Sequence, residues 1–135
     1  MRVLVDTSVW SLALRRAAPT KSEAVGSLAE LIDDGRVAMV GPVRQELLSG
    51  VKNPAQFRKL ATALSAFPDE TLETEDYVEA ARCFNKCRAS GVQGSNTDFL
   101  LCAVSLRREF PILTTDGDFA HYAKVLRVKL ASPIG

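Results

Sequence analysis

The stretch MRVLVDTSVWSLAL at positions 1–14 decides the fold. Val3-Leu4-Val5 is a short apolar run of strand type, Asp6 closes it, and Thr7-Ser8 offers an N-cap for a helix through Trp10, Leu12 and Leu14. A strand that runs directly into a helix is one half of a βαβ unit, and the same punctuation recurs along the chain. Near the far end, Pro111 introduces a strand Ile112 to Thr114, Asp116-Gly117-Asp118 makes a turn, and a short helix holds Phe119 to Ala123. Between them, Ala17-Ala18-Pro19-Thr20 is a connector. Val25, Leu28, Ala29 and Ile32 mark an amphipathic helix ended by Gly35. Val37 to Val40 is a second strand, and Pro42 and Gly50 bracket a third helix. Asn53-Pro54 opens a helix whose Phe57, Leu60, Ala61 and Leu64 share a buried side. Glu70 to Glu73 is a short strand, and Thr74 caps a helix from Glu75 to about Arg88. After the Gly91–Gly94 loop, Ser95 or Asn96 caps the helix carrying Asp98. Val125 to Leu130 alternates as a final strand, with Arg127 and Lys129 guarding an exposed sheet edge. Such βα alternation predicts an α/β domain with a mostly parallel sheet of four to five strands, covered by helices on both faces.

With 135 residues the chain makes one domain, 1–135, large enough for a well-buried core. Its 47% hydrophobic and 24% charged content is that of an ordinary globular protein, and no apolar run approaches a membrane span. No secretory signal opens the sequence. A net charge of +1 excludes a strongly basic nucleic-acid clamp but leaves room for local basic contacts. Cys83, Cys87 and Cys102 are an odd set without framework spacing, which fits a reducing cytoplasm. They fall on helical faces with Ala80, Phe84, Phe99, Ala103 and Leu106, so they read as buried core thiols rather than a soft-metal site. His121 is the lone histidine, which rules out a two-His metal site within one chain. Trp10 could stack a base, but its apolar helix favours packing.

Four acids stand at strand ends and helix starts among apolar segments: Asp6, Glu46, Asp98 and Asp116. Each alone has a structural explanation. Asp6 caps a helix, Asp98 holds a capping-box position after Ser95, and Asp116 with Asp118 flanks a turn glycine. Glu46 resists that treatment, because helical spacing puts it beside Val43 and Leu47 on the face expected to turn inward. An open parallel sheet gathers its strand carboxyl ends along one crevice. Carboxylates meeting there repel and lose hydration unless a cation compensates. A hard divalent ion, Mg²⁺ with Mn²⁺ as substitute, suits an all-oxygen ligand set. The residues thus point to a metal-dependent enzyme acting on phosphate, in which Arg15, Arg16, Lys21, Arg44, Lys52, Arg58 and Lys59 are available to hold a phosphate backbone.

The blocks Val-Asp-Thr-Ser-Val at 5–9, Pro-Val-Arg-Gln-Glu-Leu at 42–47, Asn-Thr-Asp-Phe-Leu-Leu-Cys-Ala at 96–103 and Leu-Thr-Thr-Asp-Gly-Asp-Phe at 113–119 together resemble PIN-domain ribonucleases. The short format is similar to the VapC toxins of VapBC toxin–antitoxin modules. The resemblance implies a PIN-like α/β/α sandwich and a Mg²⁺- or Mn²⁺-dependent endoribonuclease that leaves 5′-phosphate and 3′-hydroxyl ends. It implies Asp6, Glu46, Asp98 and Asp116 as the active-site acids, with Asp6 and Asp98 on the metal and Glu46 and Asp116 reaching it directly or through water. Thr7, Ser8 and Thr114 match hydroxyl positions that orient the acids or the attacking water, and Asp118 matches a more variable supporting acid. A homodimer, a VapB-type antitoxin, an RNA substrate and a cytoplasmic setting are implied with it. Two other readings stay open at the level of sequence. One is a PIN nuclease of RNA maturation without an antitoxin. The other is a receiver-type phospho-acceptor, disfavoured because Val5 and Thr115 stand where that fold wants a second acid and a lysine.

Overall fold

The computed structural model describes residues 1–14 and 22–132. The connector at 17–20 and the basic residues Arg15, Arg16 and Lys21 lie outside the described residues. Three parallel strands form the sheet: β1 (Val3–Val5), β2 (Val37–Ala38) and β3 (Ile112–Leu113), in the order β2-β1-β3. Val3 faces Val37 on one side of β1, and Val5 faces Leu113 on the other. Single parallel bridges extend both flanks, Met39 to Asp69 beside β2 and Ile112 to Leu130 beside β3. The short strand expected at 70–73 does not form, its lane being held by the bridge at Asp69 just before it, and the strand expected at 125–130 shrinks to the bridge at Leu130. Successive strand side chains point to opposite faces, yet Val3, Leu4 and Val5 are all buried, so both faces of the sheet are covered.

Seven helices supply that cover among the described residues: α1 (Thr7–Leu14), α2 (Glu23–Asp33), α3 (Gly41–Leu48), α4 (Pro54–Leu64), α5 (Thr74–Ala89), α6 (Asn96–Arg108) and α7 (Asp118–Leu126). Their local chemistry is mostly as read. Asn53 caps α4 through Ala55 and Gln56, Pro42 and Pro54 stand in first turns, and Gly35 takes the left-handed conformation just past α2 with φ of 67°. Helix α6 is buried along Phe99 to Ser105 and forms the spine of the core between β3 and α5. All three cysteines are buried in that core. Burial pushes the Cys83 thiol up to about 11, so these thiols behave as apolar filling.

Several expectations change. Helix α2 buries Ala24, Ser27, Leu28 and Leu31, a face one step round from Val25, Ala29 and Ile32, and Ile32 is exposed. Helix α4 buries only Leu64 fully, leaving Phe57 exposed. Helix α5 starts at Thr74 and is capped by Glu73, in a reciprocal box with Asp76. Residues 125 and 126 belong to α7, because Phe119, Tyr122 and Leu126 make one buried helical face that overrides the alternating pattern. The helix stops at Arg127, which is left-handed at φ of 64°. Among the described residues, no helix is long and apolar enough to cross a membrane.

Candidate active site

Strand β1 ends by delivering Asp6 to the carboxyl edge of the sheet, where its backbone N–H donates to Leu113 of β3 (2.9 Å). The carboxylate is buried, at 5% exposure, and two hydroxyls hold it. Ser8 Oγ donates to Asp6 Oδ2 at 2.7 Å, and Thr114 Oγ1 donates to the same oxygen at 2.8 Å. Both hydroxyls also accept from backbone. Ser8 Oγ takes the Thr115 N–H at 3.1 Å, and Thr114 Oγ1 takes the Asp116 N–H at 3.0 Å. The loop after β3 is thereby sewn to the start of α1 through the hydroxyls that clamp Asp6.

Asp116 Oδ1 accepts the Asp118 backbone N–H at 2.9 Å, which rounds the turn into α7. Asp118 itself is the first residue of that helix and is exposed. Asp98 sits in the first turn of α6, where its own N–H donates to the capping Ser95 Oγ at 3.1 Å. Its side chain has a partner the sequence did not reveal: the hydroxyl of buried Tyr122 donates to Asp98 Oδ2 at 2.7 Å. The signal was present, since Tyr122 falls on the buried face of α7 and a buried phenol needs an acceptor.

Glu46 corrects its forecast. It is exposed on α3, because Val43 and Leu47 take the inward direction and Glu46 lies one residue, about 100°, away from Leu47. It reaches the site's rim through Thr7, whose Oγ1 donates to Glu46 Oε1 at 2.7 Å. Arg44 is likewise committed elsewhere: it pairs with Asp69 at 3.0 Å and donates to the Leu64 and Phe67 carbonyls, so it is a strut rather than a free phosphate ligand. Trp10 is buried edge-on against Phe67 and presents no stacking face. His121 is exposed on α7.

Electrostatics tie three acids together. Burial pushes the Asp98 carboxyl above its ordinary range, the charges of Asp6 and Asp116 push the same way, and hydrogen bonds from Tyr122 and Ser95 oppose them. The Tyr122 phenol is pushed up by burial, then by its bond to Asp98 and by the charges of Asp98, Asp118 and Asp116. Asp6, Asp98 and Asp116 therefore share one field, as carboxylates around a cation would. Among the described residues, no three acid, histidine or cysteine side chains are drawn together as a preformed metal-ligand group. The donor set fits a hard divalent ion in charge and chemistry, and the ion's own attraction is what would complete the convergence.

Similarity to known proteins runs along nearly the whole chain. The family model for the PIN domain matches residues 3–125. A VapC ribonuclease of Mycobacterium bovis, Mb1587, and ribonuclease VapC11 of Mycobacterium tuberculosis are each 28% identical over 134 residues, covering 96% of this chain and 98% of theirs. Among solved structures, VapBC2 from Rickettsia felis bound to a promoter DNA fragment superposes with a TM-score of 0.76 at 15% identity, covering 97% of this chain and 98% of the other. FitAcB from Neisseria gonorrhoeae gives 0.74 at 19% identity, covering 97% of each. At those identities the structural likeness speaks to the fold alone.

Proposed function

This chain belongs to the PIN-domain family, and on that premise we propose that it is a divalent-metal-dependent endoribonuclease, the toxin of a toxin–antitoxin pair, working as one domain over residues 1–135. The observation that carries the proposal is the buried Asp6 carboxylate, clamped by Ser8 and Thr114 inside the shared field of Asp98 and Asp116. Full-length likeness to VapC ribonucleases supplies the substrate class. The receiver-type reading falls with the family.

Asp6, Asp98 and Asp116 would hold Mg²⁺, or Mn²⁺ in its place, with Glu46 supporting from the rim through Thr7. The bound ion supplies an acidified water and neutralises charge on the phosphodiester. The protein's part is orientation. Ser8 and Thr114 fix the rotamer of Asp6, and the Thr114 bond to the Asp116 amide sets the turn from which Asp116 projects. No serine, cysteine or histidine is called on as a nucleophile, in keeping with buried thiols and an exposed His121. Exposed Lys52, Arg58 and Lys59 remain available for the RNA backbone. A VapB-type antitoxin belongs to the same proposal, by the likeness to VapC ribonucleases, and so does a homodimer.

Sequencing of RNA 5′ ends after pulsed expression, with Asp6→Asn as control, tests it. New 5′-phosphate ends should appear with the wild-type chain and vanish in a folded Asp6→Asn variant. Equal cleavage by the two sinks the assignment. Growth arrest relieved by a small protein encoded beside this one separates a toxin from an RNA-maturation nuclease.

A further inference from the structure

Each of the three coupled acids has one carboxylate oxygen engaged by a protein donor, with no hydrogen bond to the other among the described residues. Asp6 uses Oδ2, toward Ser8 and Thr114. Asp116 uses Oδ1, toward the Asp118 amide, and Asp98 uses Oδ2, toward Tyr122. The donors to Asp6 and Asp116 come from the start of α1, from the loop after β3 and from the first residue of α7, beside the acids they hold. The donor to Asp98 is a single phenol brought from the buried face of α7. A buried hydroxyl costs free energy unless it is bonded, so its place here calls for a reason beyond packing.

The phenol cannot swing away. Its ring is wedged between Phe99, at 5.0 Å between centroids, and Phe119, at 5.1 Å. Above it lies Gly94, in the loop before α6. A Cβ at that position would stand 2.7 Å from Tyr122 Cζ, nearer still to the hydroxyl oxygen, and 3.0 Å from Phe99 Cζ. Only a residue without a side chain lets the hydroxyl sit where it meets Asp98. Gly94, Tyr122 and Asp98 form one stack, each placing the next.

We infer that Tyr122, seated by Gly94, is a positioning residue that tunes the metal selectivity of the site by holding one oxygen of Asp98 in a hydrogen bond. The inference rests on the metal-dependent reading above. Mg²⁺ demands a compact octahedron and takes carboxylates through one oxygen, keeping several waters. Ca²⁺ accepts six to eight oxygens and readily takes a carboxylate through both. An acid with one oxygen already sharing a lone pair with a fixed phenol is a poorer bidentate ligand, which penalises Ca²⁺ more than Mg²⁺. Removing the phenol frees Asp98 to rotate and offer both oxygens.

Binding of Mn²⁺ alone to the purified protein, followed by its paramagnetic resonance and displaced by Mg²⁺ or Ca²⁺, tests this without any substrate. Tyr122→Phe, with its fold checked by circular dichroism and melting, should lower the ratio of Ca²⁺ to Mg²⁺ needed for half-displacement by roughly tenfold, the scale on which partners of metal ligands act. Gly94→Ala, which pushes the hydroxyl off Asp98, should shift the ratio the same way. The double variant should shift it no further than Tyr122→Phe. A merely structural role would weaken both ions together and leave the ratio alone, and that result overturns the inference. If Tyr122→Phe does not fold, Gly94→Ala decides by the same ratio. Mn²⁺ binding that Asp6→Asn leaves unchanged would bring down the metal-dependent reading and this inference with it. Binding that needs Asp6, with an unmoved ratio in Tyr122→Phe and Gly94→Ala, would bring down the inference alone.

Discussion

Asp116 and Asp118 are two positions apart and enter the site through different atoms. Asp116 contributes its carboxylate, one oxygen of which holds the Asp118 amide. Asp118 contributes that amide, while its own carboxylate is exposed. Replacing Asp118 by alanine keeps the N–H, so Asp118→Ala should lose less cleavage than Asp116→Ala and regain part of it at higher Mg²⁺. Titrating both variants with Mg²⁺ on one RNA checks the order, and a deeper, metal-insensitive defect in Asp118→Ala reverses it. Legibility at this scale follows the strands. Asp6 and Thr114 could be read because each adjoins a strand end, where direction is set by the sheet, and Ser8 because it opens the helix that follows at once. Glu46 was misplaced by one helical step, since a helix of 8 residues with only Val43 and Leu47 buried leaves the facing direction to tertiary packing. Tyr122 was missed because its partner lies 24 positions away, and no local pattern names such a partner.

Helices α5 and α6 are joined by a buried charge cluster far from any sequence motif. Asp76, fully buried in the first turn of α5, receives Arg107 at 2.7 Å and Arg108 at 2.9 Å from the last turn of α6. It also accepts the Glu73 amide at 2.7 Å. Burial alone would raise this carboxyl, but the hydrogen bonds from Arg108, the Glu73 backbone and Arg107 outweigh it and lower the group to about 2 from 3.8. A depressed folded-state pKa means stability that is present above about pH 4 and is lost as the pH falls toward 2. The shift corresponds to roughly 1–2 kcal/mol at neutral pH, after discounting for arginine heads that reach water. Asp76→Asn should therefore unfold at lower urea at pH 7, and the gap to wild type should narrow as the pH drops through that window. A gap independent of pH would mean that the charge is not what joins the helices. From sequence, Asp76 reads as an ordinary first-turn acid, and nothing in its spacing shows that the end of α6 returns to it. The helices were legible in kind and roughly in extent. The outer strands were not, because a lane held by one bridge at Asp69 or Leu130 leaves only a trace of the two-residue period.

Across the molecule, alternating βα units were enough to read a parallel sheet with its acids at one end, and the order β2-β1-β3 adds what alternation alone leaves open. The central strand, β1, precedes both of its neighbours in the chain. Its Val3 amide meets Arg36, but its Leu4 and Asp6 amides meet Pro111 and Leu113, and the second clamp on Asp6 comes from a residue 108 positions later. During synthesis, then, β1 and β2 can pair early while the other edge of β1 stays open until residue 113 has left the ribosome tunnel. Until then the chain lacks β3, the Thr114 hydroxyl and Asp116, and so lacks one edge of the sheet and the second clamp on Asp6. A fragment ending at Phe110 should show no cooperative melting and no RNA cleavage; a cooperative transition in that fragment would refute the dependence. A nuclease whose central strand and site both wait on a segment more than 100 positions downstream should stay inactive on the ribosome until that segment has emerged.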